Sequence, residues 1–325
     1  MRIKKELVLL IIIIILLSLY LALRSRDRTH YSLPELPEIS RNEISKIEIA
    51  RQDSSIFLQK NGDMWEIIPQ EWPVEDYIVS NMLEVMEELT FTTLVSESKS
   101  YERYGLAEDE KLTVRAWAGD TLKLEFEIGK KVPTSQHTFV KLPNNHRVYH
   151  AQDEFKWKFD QTIDKLRVKT VLSFEEDKIQ EISITKEEKS NTFIRQQISV
   201  EDDSGKEEID DKETSEKKTI WVNTEGEKWD KEKMADLLNT LSELNCEKYI
   251  DEGQKEDFKN PICDVLVKGE KQYSLSIFAS EEKDGSGYPG VSSENPYPFL
   301  LSEDEAKKIM TIPDKMSETT DEKTD

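Results

Sequence analysis

Ile44-Ser45-Lys46-Ile47-Glu48-Ile49 and Ile179-Gln180-Glu181-Ile182-Ser183-Ile184 place isoleucine at the same three positions of a six-residue stretch, 135 residues apart. The last two isoleucines of each stretch alternate with polar residues, the period of a half-buried strand. Reading outward from this pair, the likeness continues. Phe57-Leu58 aligns with Phe193-Ile194, and Met64-Trp65 with Ile220-Trp221. A helix is expected next in each half, over Asn81–Leu89 and Asp236–Leu244, with Met82, Leu83, Met86 and Leu89 set against Leu237, Leu238, Leu241 and Leu244. Apolar residues at i, i+1, i+4 and i+7 give each helix one apolar face.

The register runs on past the helices. Leu94-Val95 aligns with Tyr249-Ile250, and the alternating Leu122–Ile128 with Tyr273–Ile277, each after a glycine, Gly119 and Gly269. Val148-Tyr149 aligns with Phe299-Leu300, then Gln152-Asp153-Glu154-Phe155 with Glu303-Asp304-Glu305-Ala306. The last pair reads as short helices with acidic first turns, favourable at the positive end of a helix. Short connections favour antiparallel pairing. The fold class is therefore α+β: two tandem copies of a mainly antiparallel sheet unit with packed helices, preceded by a membrane helix. The expected units are residues 44–170 and 171–313.

One difference separates the copies. Where the first has the turn Asn61-Gly62-Asp63, the second has an acidic stretch over about residues 198–218 with almost no apolar side chain. It reads as a disordered insertion at a hairpin tip, where added length costs little. The tail, residues 314–325, is polar and acidic and is expected to be unstructured.

Leu7–Leu23 is an almost unbroken apolar run of 17 residues, interrupted only by Ser18 and Tyr20. As a helix it covers roughly 25 Å, at the short end for a membrane span. It has no polar face to suit a buried core helix, no A-x-A-like cleavage site near Ala22, and no following cysteine to take a lipid. Residues 1–30 are thus expected to be an uncleaved signal anchor with short flanks, and 31–43 a linker. Basic residues flank both ends of the run, so loop charge weighs little on orientation. Only five residues precede Glu6, the layout of a signal anchor with its N-terminus in the cytoplasm. The large domain would then lie outside the membrane, on the periplasmic side.

The formal charge is −22. The first thirty residues hold six cations against two carboxylates, so the remainder sits near −26. A domain this acidic repels phosphate backbones, and no nucleic-acid partner is expected.

Chemistry is scarce. No P-loop, G-x-G-x-x-G, G-x-S-x-G or H-E-x-x-H occurs, so no cofactor and no catalytic set is expected. His146 and His150 have an H-x3-H spacing, but a strand there sets them roughly 13 Å apart. With His30 and His137 the only other histidines, no metal site is expected. Cys246 aligns with Phe91 and Cys263 with Leu112, both apolar, which predicts two inward-facing cysteines near one another. They can form a disulfide or remain two buried thiols, and the sequence leaves both open. Trp65 and Trp221 hold matching strand positions and read as core.

With the repeat laid out, the chain resembles a bacterial family described as domain of unknown function 4340. The resemblance rests on the strand Ile44–Ile49, Trp65-Glu66-Ile67-Ile68-Pro69, Asp76 ahead of the first helix, Tyr104-Gly105-Leu106, Ile128-Gly129 and Arg147-Val148-Tyr149. It departs from the family pattern at Glu108-Asp109-Glu110, where a proline is usual. The resemblance implies no catalytic residues. It implies a membrane-anchored protein associated with an ABC-type transport system. The expected function is a non-enzymatic, extracytoplasmic binding or assembly module with a membrane-protein partner. The alternatives are an envelope polysaccharide hydrolase using carboxylates, or a purely structural envelope protein.

Overall fold

A computed structural model describes residues 12–20, 31–134, 136–187, 189–199, 217–280 and 287–311. The ends of the Leu7–Leu23 run, His30, residues 200–216 of the expected insertion and the expected tail lie outside these residues. A helix, α1, covers residues 12–20, and Ile12 to Leu17, Leu19 and Tyr20 are all exposed. Among the described residues no helix is long and apolar enough to cross a membrane. The chain divides into two compact units, Met1–Val168 and Lys169–Asp325.

In the first unit the strands are β1 (Lys46–Ala50), β2 (Ser55–Asn61), β3 (Met64–Ile68) and β4 (Trp72–Pro73), followed by helix α2 (Asp76–Glu88). Then come β5 (Phe91–Ser96), β6 (Leu112–Ala118), β7 (Thr121–Lys131), β8 (His137–Lys141) and β9 (Val148–Gln152), closed by the short helices α3 (Lys156–Phe159) and α4 (Ile163–Leu166). The nine strands form one sheet in the order β4-β3-β2-β1-β6-β7-β8-β9-β5, with every pair antiparallel.

The second unit opens with β10 (Thr170–Ser173), β11 (Glu181–Lys186), β12 (Lys189–Ser199) and β13 (Lys217–Asn223), then helix α5 (Lys231–Ser242). β14 (Glu243–Asn245), β15 (Lys248–Tyr249), β16 (Cys263–Lys268), β17 (Gln272–Ile277), β18 (Tyr288–Ser292), β19 (Phe299–Leu301) and helix α6 (Glu303–Thr311) complete it. Its main sheet runs β13-β12-β11-β16-β17-β18-β19-β15. Strand for strand, that is the order of the first unit without β4. The place of β4 is kept by a backbone bond: Trp229 N–H donates to Trp221 O at 2.8 Å, as Val74 N–H donates to Trp65 O at 2.9 Å.

Each core forms because alternation along the strands turns one set of apolar residues toward the helix. Ile47, Ile49, Leu58, Val114 and Phe126 pack with Val79, Met82 and Met86 of α2. Ile182, Ile184, Phe193, Val265 and Val267 pack with Met234, Leu237 and Leu241 of α5. Trp65 and Trp221 are both buried.

The ladders correct the sequence alignment at two strands. Ile47 faces Leu58 and Ile182 faces Phe193, so Leu58, not Phe57, corresponds to Phe193. Likewise Leu94 faces Tyr149 and Tyr249 faces Phe299, so Tyr149 corresponds to Phe299. A one-residue slip exchanges the two faces of a strand; Phe193 is buried, whereas Ile194 points outward.

The helices also differ from expectation. Both begin five residues earlier, at Asp76 and Lys231. α5 stops at Ser242 because Glu243–Asn245 pairs with β10, so Leu244 reaches the core from a strand. Asp153-Glu154 falls outside α3: Asp153 takes a left-handed turn (φ 67°) before that helix starts. The β12–β13 ladder runs out to Ser199 opposite Lys217, slightly into the expected insertion.

Candidate functional site

The outer face of each sheet, opposite the helix, is where the two units diverge. In the first unit a 3-10 turn, Glu102–Tyr104, brings Tyr104-Gly105-Leu106 down onto β7, β8 and β9. Leu106, Val132, Phe139 and Val148 are buried beneath it, and the Tyr104 and Phe139 rings lie 5.0 Å apart. Two glycines make this approach possible. Gly105 has φ 63°, and a Cβ there would stand 3.0 Å from Lys130 N. A Cβ on Gly129 would stand 2.2 Å from Tyr104 O. Both glycine-bearing motifs of the resemblance therefore serve one contact, in which backbone lies on backbone.

Beside this cover the strands gather charge. Arg115 bonds Glu48 at 3.0 Å and Glu125 at 2.8 Å, and these bonds raise its pKa further. Glu127 is nearly buried between Lys111 at 3.1 Å and Lys141 at 2.8 Å. Burial works against the Lys111 ammonium, but its bonds to Glu108 and Glu127 outweigh it and raise the pKa. These bridges stitch β1, β6, β7 and β8 across their polar face.

Sequence spacing coupled His150 to His146, whereas the structure couples it to His137. The imidazoles of His137 and His150 project from neighbouring strands with centroids 5.7 Å apart, and Phe139 lies 5.1 Å from His150. Burial lowers the His150 pKa, and His137 lowers it further. His137 Nδ1 is buried with no hydrogen-bond partner. Among the described residues no three His, Cys, Asp or Glu side chains are placed to hold a metal.

In the second unit the same outer face carries a cleft of about 770 Å³. Tyr249, Ile250, Phe258, Phe278, Pro289 and Leu300 supply its apolar lining, and Lys248, Asp251, Glu252 and Lys259 bring charge to it. A smaller recess of about 260 Å³ in the first unit collects Glu84, Glu88, Asp153 and Glu154 around Lys158. The Lys158 ammonium, 3.0 Å from Glu84, holds that carboxyl below the usual carboxylate range. A general acid needs the opposite shift.

The two cysteines are buried in the core of the second unit. Cys263 opens β16 opposite Ile277, as Leu112 opens β6 opposite Ile128. Cys246 lies just before β15, at the position of Phe91. Both belong to one hydrophobic cluster of that core. In the main sheet β17, β18 and β19 lie between β16, which Cys263 opens, and β15, which follows Cys246.

Asn145 and Asn295 are functional in the structural sense and escaped sequence reading. Each side chain accepts a backbone N–H two residues on, from Arg147 and Tyr297, at 3.0 Å. Each then donates to a tyrosine hydroxyl, Tyr149 at 3.2 Å and Tyr249 at 2.9 Å. The tyrosine sits on β9 in one unit and on β15 in the other, so the aligned residues differ in type. That is why the pairing is hidden in the sequence.

A duplicated antiparallel α+β scaffold, closed on the outer face of one copy and open on the other, is the class of protein these features define. The chain belongs to the family described as Domain of unknown function (DUF4340), whose model matches residues 65–261 and so spans parts of both units. No curated protein and no solved structure matches the chain.

Proposed function

We propose that this chain is a membrane-anchored, extracytoplasmic binding and assembly module, serving as an accessory partner of an ABC-type transport system. The observation that carries the reading is α1, whose isoleucines and leucines are exposed on every side within the apolar Leu7–Leu23 run. A helix with no polar face is suited to lipid. The paired scaffold supports binding over catalysis, since its matching positions are core positions. Tyr104-Gly105-Leu106 and Ile128-Gly129 serve packing. A polysaccharide hydrolase would draw on the carboxylates around Lys158, but Glu84 is displaced in the direction that disfavours proton donation.

The test is purification in mild detergent through an epitope at the C-terminus, with protease accessibility of that epitope in intact spheroplasts. A transporter subunit is expected to co-purify, and the epitope is expected to be cleaved from outside. Recovery of this chain alone would sink the accessory role.

A further inference from the structure

The registers of β8–β9 and β18–β19 align His137 with Gly287, Phe139 with Pro289 and His150 with Leu300. Three positions that carry planar rings on the outer face of the first unit therefore carry glycine, proline and leucine in the second. The covering chain is shorter too. Between the aligned positions Leu94 and Leu112 lie 17 residues (95–111), and between Tyr249 and Cys263 only 13 (250–262). Moreover, the residue after Ile128 is Gly129, which admits the Tyr104 carbonyl, whereas the residue after Ile277 is Phe278. The Phe278 ring meets Phe258 of the covering segment at 5.4 Å, a ring-on-ring contact in place of the backbone approach that Gly129 allows.

We infer that the resulting cleft is a binding site for a small planar aromatic ligand, supplied from outside the chain where the first unit supplies rings of its own. Its volume, about 770 Å³, falls in the range of small-molecule sites, and its lining combines apolar residues with the charged Lys248, Asp251, Glu252, Asp257 and Lys259. Phe258, Phe278, Pro289 and Leu300 offer ring faces and branched surface for stacking. Gly287 offers the cleft no side chain of its own. A Cβ on Gly287 would stand 2.4 Å from Leu301 O.

The inference rests on the reading of the chain as a binding module, and its test is separate from co-purification. Hydrogen exchange of the full-length protein in detergent is compared with and without indole as the probe. Indole is expected to slow exchange over residues 248–260 and 287–300. Pro289→Phe, which restores the ring of the first unit, is expected to remove that protection. Ala279→Trp, which fills the cleft from its exposed rim, is expected to do the same; if Pro289→Phe fails to fold, it decides alone. Absence of protection in the wild-type chain, protection only elsewhere, or protection that survives in the folded variants would overturn the site. None of these outcomes would touch the membrane-partner reading.

Discussion

His150 shows how a single side chain can couple this fold to pH. Burial and the neighbouring His137 push its pKa down, so the unfolded chain takes up the proton more readily than the folded one. Its contribution to stability is intact above the ordinary histidine value of about 6.5. It is lost as pH falls through the lower folded value, because the unfolded state then binds more protons. His150→Gln is therefore expected to flatten the fall in melting temperature on mild acidification. An unchanged slope would show that the ring pair does not govern it. This pair was not legible in the sequence. The H-x3-H spacing pointed along one strand, while the contact runs across two, and only the β8–β9 register sets it.

At the scale of elements, the two equivalent helices start differently. The Asp230 carboxylate accepts the N–H groups of Glu232 and Lys233, at 2.8 and 3.1 Å, capping the first turn of α5. The corresponding Glu75 makes no such bond to α2. Asp230→Ala is expected to destabilise the second unit by about 1 kcal/mol. An unchanged urea midpoint in this variant would contradict this account of the cap. The apolar faces of both helices were legible, since Met82/Leu237, Leu83/Leu238 and Met86/Leu241 are buried as their spacing requires. Their boundaries were not. Spacing marks where a helix packs, but caps and competing strand pairs decide where it begins and stops. The loss of Glu243 and Leu244 from the expected helix to β14 is a case in point.

At the scale of the whole molecule, the proposed anchor makes a direct prediction. Each lysine placed at the centre of a membrane helix costs about 2.5–3.5 kcal/mol. Replacing both Ile14 and Leu17 with lysine is thus expected to move the chain from the membrane pellet to the soluble fraction after alkaline washing. A double variant that stays in the pellet would show that this segment is not the tether. By itself the sequence determined the duplication, the α+β class and most of the core. A period of two or of 3.6 and a repeated isoleucine pattern are written along the chain, and burial follows from them. The tertiary structure alone decided the one-residue registers at β2 and β9, the His137–His150 pair, and the open outer face of the second unit. Each depends on which strands are neighbours and on how closely one backbone can approach another. Gly129 lets Tyr104 settle on the sheet, whereas Phe278 at the same place meets the cover through the ring of Phe258. That difference acquires meaning only when chain segments distant in sequence meet in space.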